Sequence, residues 1–257
     1  MPIISAMNNH SQNLPVVMTI AGSDSGGGAG IQADLKAFAA LGAFGASAIT
    51  CLTAQNPSEV RGILPIKPDM VALQVETICD GFRVAAAKTG MLYSSAIIEA
   101  VAGTIRRRRI PWLVVDPVMI ATSGARLLRR DAVSALCGKL LPLADVITPN
   151  LPEAEALCGH KIGDLRDMES AAREIGTRYR AACVVKGGHL PGQTVTDVLH
   201  HSGRIYRFRS ARLRVATHGT GCMFSAALTA LLARGFDLPK AVGGGKRYVR
   251  KVLQRQL

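Results

Sequence analysis

Val16-Val17-Met18-Thr19-Ile20-Ala21 runs without a break into Gly22-Ser23-Asp24-Ser25-Gly26-Gly27-Gly28-Ala29-Gly30, and Ile31, Leu35, Phe38, Ala39 and Leu41 follow at helical spacing. This reads as a strand, a glycine-rich turn and a helix. The same alternation continues along the chain. Strands are expected at 47–52, 85–88, 112–115, 146–148 and 182–186, with helices at 69–79, 94–107, 130–141, 152–158 and 168–179. Strands at 195–200 and 205–209 flank Ser202-Gly203, a hairpin signal. Helices from about 221 and about 238 close the chain. Such alternation predicts an α/β fold, a doubly wound, mainly parallel central sheet with helices on both faces. Residues 1–14 are polar and are expected to be a disordered tail, with 15–257 forming a single domain.

Composition agrees. Of the 257 residues 48% are hydrophobic and only 4% aromatic, so the core must come from Ala, Val, Leu and Ile, which suits strands covered on both faces. No apolar run reaches the roughly 18 residues of a membrane span. The start of the chain lacks the basic and apolar segments of an export signal, which points to the cytoplasm. There Cys51, Cys79, Cys137, Cys158, Cys183 and Cys222 are expected as reduced thiols, and with no C-x-x-C pair among them a zinc site is not expected. The net charge of +13 raises nucleic acid as a partner. The basic residues, however, sit at 106–109, at Arg126, Arg129 and Arg130, and over 246–255, away from aromatics. They read as helix faces and ends, 106–109 closing a helix, which weighs against nucleic acid. The positive field favours anionic substrates.

Glycine-bearing and polar segments recur at the carboxyl ends of the strands, at 22–30, 53–56, 89–91, 116–119, 148–153 and 186–189. In open α/β sheets ligands bind at that edge. Thr217-His218-Gly219-Thr220-Gly221-Cys222 opens onto an apolar helical run. A helix start offers N–H groups and a positive dipole end to an anion, most often phosphate. Cys222 stands at its mouth, where a thiol pKa is expected to fall, and an acid/base residue beside a phosphate cradle suggests phosphoryl transfer. Lys186-Gly187-Gly188-His189 supplies a cation for phosphate. Gln55, in Thr53-Ala54-Gln55-Asn56, offers the donor and acceptor that an aminopyrimidine edge needs, or bonds loop backbone. Asn150-Leu151-Pro152-Glu153 either holds the hydration shell of magnesium or caps a helix. The loop 22–30 matches neither phosphate-loop nor dinucleotide spacing, leaving close approach to a ligand or tight helix–sheet packing. Asp34 is placed on the first helical turn, where dipole stabilisation is the plain reading.

Seven segments occur in order: T-I-A-G-S-D-S-G-G-G-A-G-I-Q-A-D-L-K (19–36), T-A-Q-N (53–56), K-T-G-M-L (88–92), V-V-D-P-V-M (114–119), T-P-N-L-P-E-A (148–154), V-K-G-G-H (185–189) and T-H-G-T-G-C (217–222). Together they resemble the hydroxymethylpyrimidine/phosphomethylpyrimidine kinases of thiamine biosynthesis, in the ribokinase-like superfamily. The resemblance implies ATP and Mg²⁺ as cofactors, a pyrimidine alcohol and then its monophosphate as substrates, and a homodimer. It implies that Gln55 bonds the pyrimidine edge with Gly22 and Asp34 nearby, and that Met91 and Val118 line the ring pocket. Asn150 and Glu153 would position Mg²⁺ and its waters, with Asp116 as a further metal residue. Lys186 and His218 would meet the nucleotide. Gly219, Thr220 and Gly221 would form the anion hole, with Cys222 as base. Pyridoxal kinases of the same subfamily share the cysteine site, but Gln55 argues against them. A catalytically weakened binding protein on this fold is the rival from another class. Where relatives carry a G-P-V-x-H-F segment near the nucleotide base, this chain has a basic stretch with Gly243-Gly244-Gly245. At about 1 kcal/mol per glycine, that run predicts a frayed or broken last helix.

Overall fold

The computed structural model describes residues 14–119, 127–129, 131–213 and 219–255. Of the expected tail over 1–14, residues 1–13 lie outside them, as do Arg126, Arg130 and His218. In chain order the elements are β1 (Val16–Ala21), α1 (Gly30–Ala40), β2 (Phe44–Ile49), β3 (Cys51–Gln55), β4 (Val60–Pro65), α2 (Pro68–Gly81), β5 (Val84–Thr89), α3 (Ser95–Arg108), β6 (Leu113–Val115) and α4 (Ala132–Ala135). They continue as β7 (Val146–Ile147), α5 (Leu151–Cys158), α6 (Leu165–Tyr179), β8 (Ala182–Val185), β9 (Thr194–His201), β10 (Arg204–Ala211), α7 (Thr220–Ala233) and α8 (Leu238–Gln254).

The central sheet has the order β10-β9-β8-β7-β6-β5-β1-β2. Pairing is parallel from β2 through β1, β5, β6 and β7 to β8, and antiparallel at β9 and β10. Every residue of β1 is buried, as an interior parallel strand requires. Side chains alternate between two cores. Met18, Ile20, Ala87, Val115 and Ile147 face the helices α2 to α6, whereas Val17, Ala86, Val114, Val146 and Val184 face α1, α7 and α8. The strand order reverses at β1, which is flanked by β2 and β5. That reversal opens a crevice at the carboxyl ends of β1 and β5. No helix among the described residues is long and apolar enough to cross a membrane.

Helix ends follow their local chemistry. Asp164 and Asp237 cap α6 and α8 by accepting first-turn amide protons, Pro68 begins α2, and Arg106, Arg107 and Arg108 fill the last turn of α3 as expected. Three expectations change. The strand at 47–52 is two strands: the Thr50 amide donates to Ala21 O and its hydroxyl to Met91 O, drawing the chain out of the sheet into a separate β3–β4 hairpin. The hairpin turns at Asn56, whose side chain accepts from the amides of Ser58 and Glu59. The helix at 130–141 is a four-residue α4 that widens into a π turn at Leu136–Leu140 and tightens into a 3₁₀ turn at Leu141–Leu143, where Pro142 cannot donate.

The last helix is neither frayed nor broken, since α8 runs through Gly243, Gly244 and Gly245. A Cβ on Gly244 would lie 2.5 Å from Leu231 Cδ1 and one on Gly245 3.3 Å from Phe224 O, so these glycines let α8 lie close against α7. Gly243 has room, its Cβ meeting nothing nearer than 3.4 Å. Gly243→Ala is therefore expected to stabilise the protein by up to about 1 kcal/mol through helix propensity. A lowered midpoint in thermal unfolding would contradict a continuous α8.

Candidate active site

Gly219 N-caps α7 with φ of 75°, and a Cβ there would sit 1.9 Å from Gly28 O. Only glycine tolerates both the left-handed backbone and that contact. The loop after β1 thus presses directly on the helix start, and Thr220, Gly221 and Cys222 form the first turn facing the crevice. The glycine amides of the loop are not free for an anion. Asp24 is buried and accepts from Gly26 N at 2.9 Å, Gly28 N at 3.1 Å and Ala29 N at 2.7 Å. The packing reading of 22–30 holds for these groups.

Beneath Cys222 lies a fully buried ion pair. Lys88, on β5, reaches both oxygens of Asp34, on α1, at 3.0 and 2.8 Å, and Thr19 Oγ1 donates to the same carboxylate at 2.6 Å. Burial opposes the Lys88 charge, but Asp34 overcomes it and the ammonium pKa rises. The first-turn placement of Asp34 is corrected: it lies beyond the first turn of α1, which holds no acid, and it is fully buried.

A second pair stands alongside. Asp116, just past β6, accepts from Lys186 Nζ at 2.8 Å, Ser225 Oγ at 3.1 Å and Thr148 Oγ1 at 3.3 Å. The Lys186 ammonium lies 3.2 Å from where a Cβ on Gly221 would be, so it borders the α7 start. Asn150 and Glu153 form a reciprocal capping box on α5, with amide-to-side-chain bonds of 2.9 Å each way. The cap reading holds for both residues, and the Asn150 side-chain oxygen is engaged by the Glu153 amide. Glu153 is also buried, and its carboxyl is pushed up to about 7 by burial, against the pull of Lys186 and with Asp116 adding to the rise. No group of three His, Cys, Asp or Glu side chains among the described residues is arranged to hold a metal.

Cys222 departs from expectation. Its thiol is pushed up to about 11 by burial, opposed by Lys88 and a Gly30 backbone hydrogen bond, while Asp34 and Asp116 add to the rise. Desolvation and two carboxylates outweigh the helix start.

The remaining residues gather on the other wall. Gly22 N donates to Met91 O at 3.2 Å, and Met91 shares an apolar cluster with Cys51, Ile63 and Val118. Gln55 ends β3, which docks on the loop through Ser25 Oγ, acceptor from Gln55 N at 2.8 Å and donor to Gln55 O at 2.7 Å. Gly22, Gln55, Met91 and Val118 are thus joined through the loop after β1, which meets the α7 start where Gly28 O lies against Gly219. Sequence reasoning missed Lys88, Thr19, Ser225 and the ordering role of Asp24. A lysine inside a strand, at the head of K-T-G, was the signal for the first. A cleft of about 1210 Å³ at the opposite edge, bordered by Arg83, Arg109, Trp112 and Arg234, shares none of these residues.

The chain matches the phosphomethylpyrimidine kinase family over residues 24–257. It is 48% identical over 250 residues to a hydroxymethylpyrimidine/phosphomethylpyrimidine kinase of Haemophilus influenzae, covering 95% of this chain and 93% of that one. The crystal structure of a phosphomethylpyrimidine kinase from Clostridium difficile superposes with a TM-score of 0.83 at 38% identity, over 93% of this chain and 99% of the other. A pyridoxal kinase from Staphylococcus aureus in complex with AMP-PCP and pyridoxal gives 0.84 at 34% identity, over 93% and 88%. Sheet order, helix-start site and these likenesses define a kinase of the ribokinase-like fold. Within that class, the chain belongs to the phosphomethylpyrimidine kinase family.

The Glu153 carboxyl titrates near 7 when folded, against an ordinary 4.5, so the folded protein retains its proton over that interval. The stability this group contributes is present below about 4.5 and is lost as pH rises through about 7. Relative to the parent, Glu153→Gln is expected to gain stability over that window, by at most about 3 kcal/mol. Urea unfolding across the window checks this, and parallel pH profiles for the two proteins would refute it.

Proposed function

We propose that the protein transfers the terminal phosphoryl group of ATP to 4-amino-5-hydroxymethyl-2-methylpyrimidine, and then phosphorylates the monophosphate to the diphosphate. The observation that carries this reading is Cys222 at the start of α7, close to Lys88 and Lys186, on a helix start that packs against the same loop that Gly22 belongs to and Gln55 docks on. Gly22, Gln55, Met91 and Val118 take the ring, with Gln55 offering paired donor and acceptor to its amino edge. Lys186 and the first-turn amides of Gly219, Thr220, Gly221 and Cys222 take the phosphates, with His218 next in sequence. Cys222 must first give up its own proton to solvent; its thiolate then accepts the hydroxyl proton as the new oxygen–phosphorus bond forms and the bond from phosphorus to the departing ADP oxygen breaks. Little covalent work is needed beyond that, because positioning and charge stabilisation carry phosphoryl transfer.

Two buried carboxylates, Asp116 and Glu153, share the single ammonium of Lys186. That excess of oxygen charge fits magnesium held through water, with Asn150 ordering Glu153. The bound ion would supply charge neutralisation for the phosphates. A coupled assay with the pyrimidine alcohol, its monophosphate and pyridoxal side by side tests substrate choice. Turnover of the two pyrimidines is expected, with Cys222→Ala lowering kcat at least ~100-fold. Turnover of pyridoxal alone would overturn the substrate, and near-parental turnover in Cys222→Ala would overturn the base.

The likeness to pyridoxal kinase makes pyridoxal the second substrate to consider. A single domain over 15–257 is supported by the return of α7 and α8 to the sheet that β1 begins. All six cysteines are unpaired, in keeping with a reducing cytoplasm. A homodimer is supported by apolar side chains on the β3–β4 hairpin and adjoining α2, where Leu52, Leu64, Met70 and Leu73 are 45, 62, 50 and 53% exposed. Sedimentation is expected to give twice the chain mass, and Leu64→Glu to shift it toward monomer. A monomeric parent would remove the proposal.

A further inference from the structure

Beyond the two lysine pairs of the site, a third buried pair lies one step behind it. Lys246 on α8 reaches Asp197 Oδ2 on β9 at 2.8 Å, with side chains only 11 and 9% exposed. The other oxygen, Asp197 Oδ1, accepts from the Gly187 amide at 2.9 Å. Gly187 adjoins Lys186 and begins the 3₁₀ turn Gly187–His189 that leaves β8. On its other side the Lys186 amide donates to Pro149 O at 2.9 Å. The backbone around Lys186 is thus gripped from two directions, and one grip ends on the last helix.

The fit at Gly187 has no slack. A Cβ there would lie 1.9 Å from Thr196 O, so the turn rides directly on the β9 backbone. A carboxylate this deep needs a countercharge, and without Lys246 the Asp197 charge would be uncompensated. A charged carboxylate also holds the amide more strongly than a neutral acceptor does. The close approach of α8 to α7 at Gly244 and Gly245 carries Lys246 to this position. The glycine run that reads in sequence as a helix breaker is what brings the ammonium within reach.

We propose that Lys246 is a positioning residue for phosphoryl transfer, fixing through Asp197 and the Gly187 amide the place from which Lys186 meets the ATP phosphates. This rests on the reading of Lys186 as the phosphate contact. The test uses the full chain and two measurements, the KM for each substrate and calorimetric binding of a non-hydrolysable ATP analogue. Lys246→Met is expected to raise the KM for ATP, and to weaken the analogue, about tenfold while moving the KM for the pyrimidine alcohol less than about twofold. Lys246→Arg is expected to restore most of the loss. Asp197→Asn keeps the shape and an amide acceptor, and it should reproduce the Lys246→Met shift, with the double variant no worse than either single. Where Lys246→Met does not fold, Asp197→Asn carries the same comparison. Unchanged analogue binding, equal rises in both KM values, or no rescue by arginine would each overturn the proposal. Lys186→Met reads the parent assignment separately: undiminished analogue binding there removes Lys186 as phosphate contact whatever Lys246→Met does.

Discussion

Lys88 carries a charge with no solvent around it, and the site depends on how that charge is answered. Taking an ammonium and a carboxylate out of water costs several kcal/mol per ion, recovered only by tight geometry and satisfied hydrogen bonds. Asp34 supplies both oxygens and Thr19 a further hydrogen bond. The three residues come from β5, α1 and β1, the elements that meet where the strand order reverses. The pair therefore ties β5, α1 and β1 together at the strand reversal and holds the Lys88 ammonium near Cys222. It also constrains its surroundings: a Cβ on Gly90 would lie 3.0 Å from the Lys88 ammonium, so the turn after β5 must stay bare.

The second pair repeats the logic with a different balance. Lys186 is met by Asp116 and, less closely, by Glu153, so two acids share one ammonium. Counting both pairs, two buried lysines face three buried acids around one thiol. Glu153 absorbs part of that excess by holding its proton to about 7, and Cys222 absorbs part by staying neutral. Such a cluster of perturbed titratable groups is characteristic of functional sites.

Most of the scaffold was legible because its signals are local. β1, β5, β6 and β8 are short apolar runs, and α5, α6 and α8 carry their own caps and starts. What escaped was set by distant partners. Nothing within 47–52 marks Thr50 as the residue that ties back to Ala21 and Met91, so Cys51 and Leu52 read as the end of one strand and the hairpin goes unseen. Lys88 and Asp34 are far apart in sequence, and each alone resembles a surface charge. At Asn150 and Glu153 the capping reading holds, and the box fixes the direction of the Glu153 carboxylate. The glycines of α8 misled because propensity is a property of the helix alone, whereas the room they make is needed by α7.

Cys222 shows which physical effect prevails where two local rules disagree. A helix start favours a thiolate by roughly 0.3–1 kcal/mol, and up to about 2 in partly buried geometry. The rise to about 11 corresponds to about 3 kcal/mol in the opposite direction, even after Lys88 and the Gly30 amide have contributed. Burial and the aspartates decide the resting state. The thiolate is the form that oxidants and stray metals attack, so a neutral Cys222 is the least reactive form of this residue. Cys51 and Cys183 are held neutral by burial too, but neither borders the lysines. The Lys88 and Lys186 ammonium groups distinguish Cys222: both lie close enough to favour its thiolate, though burial and the aspartates outweigh them.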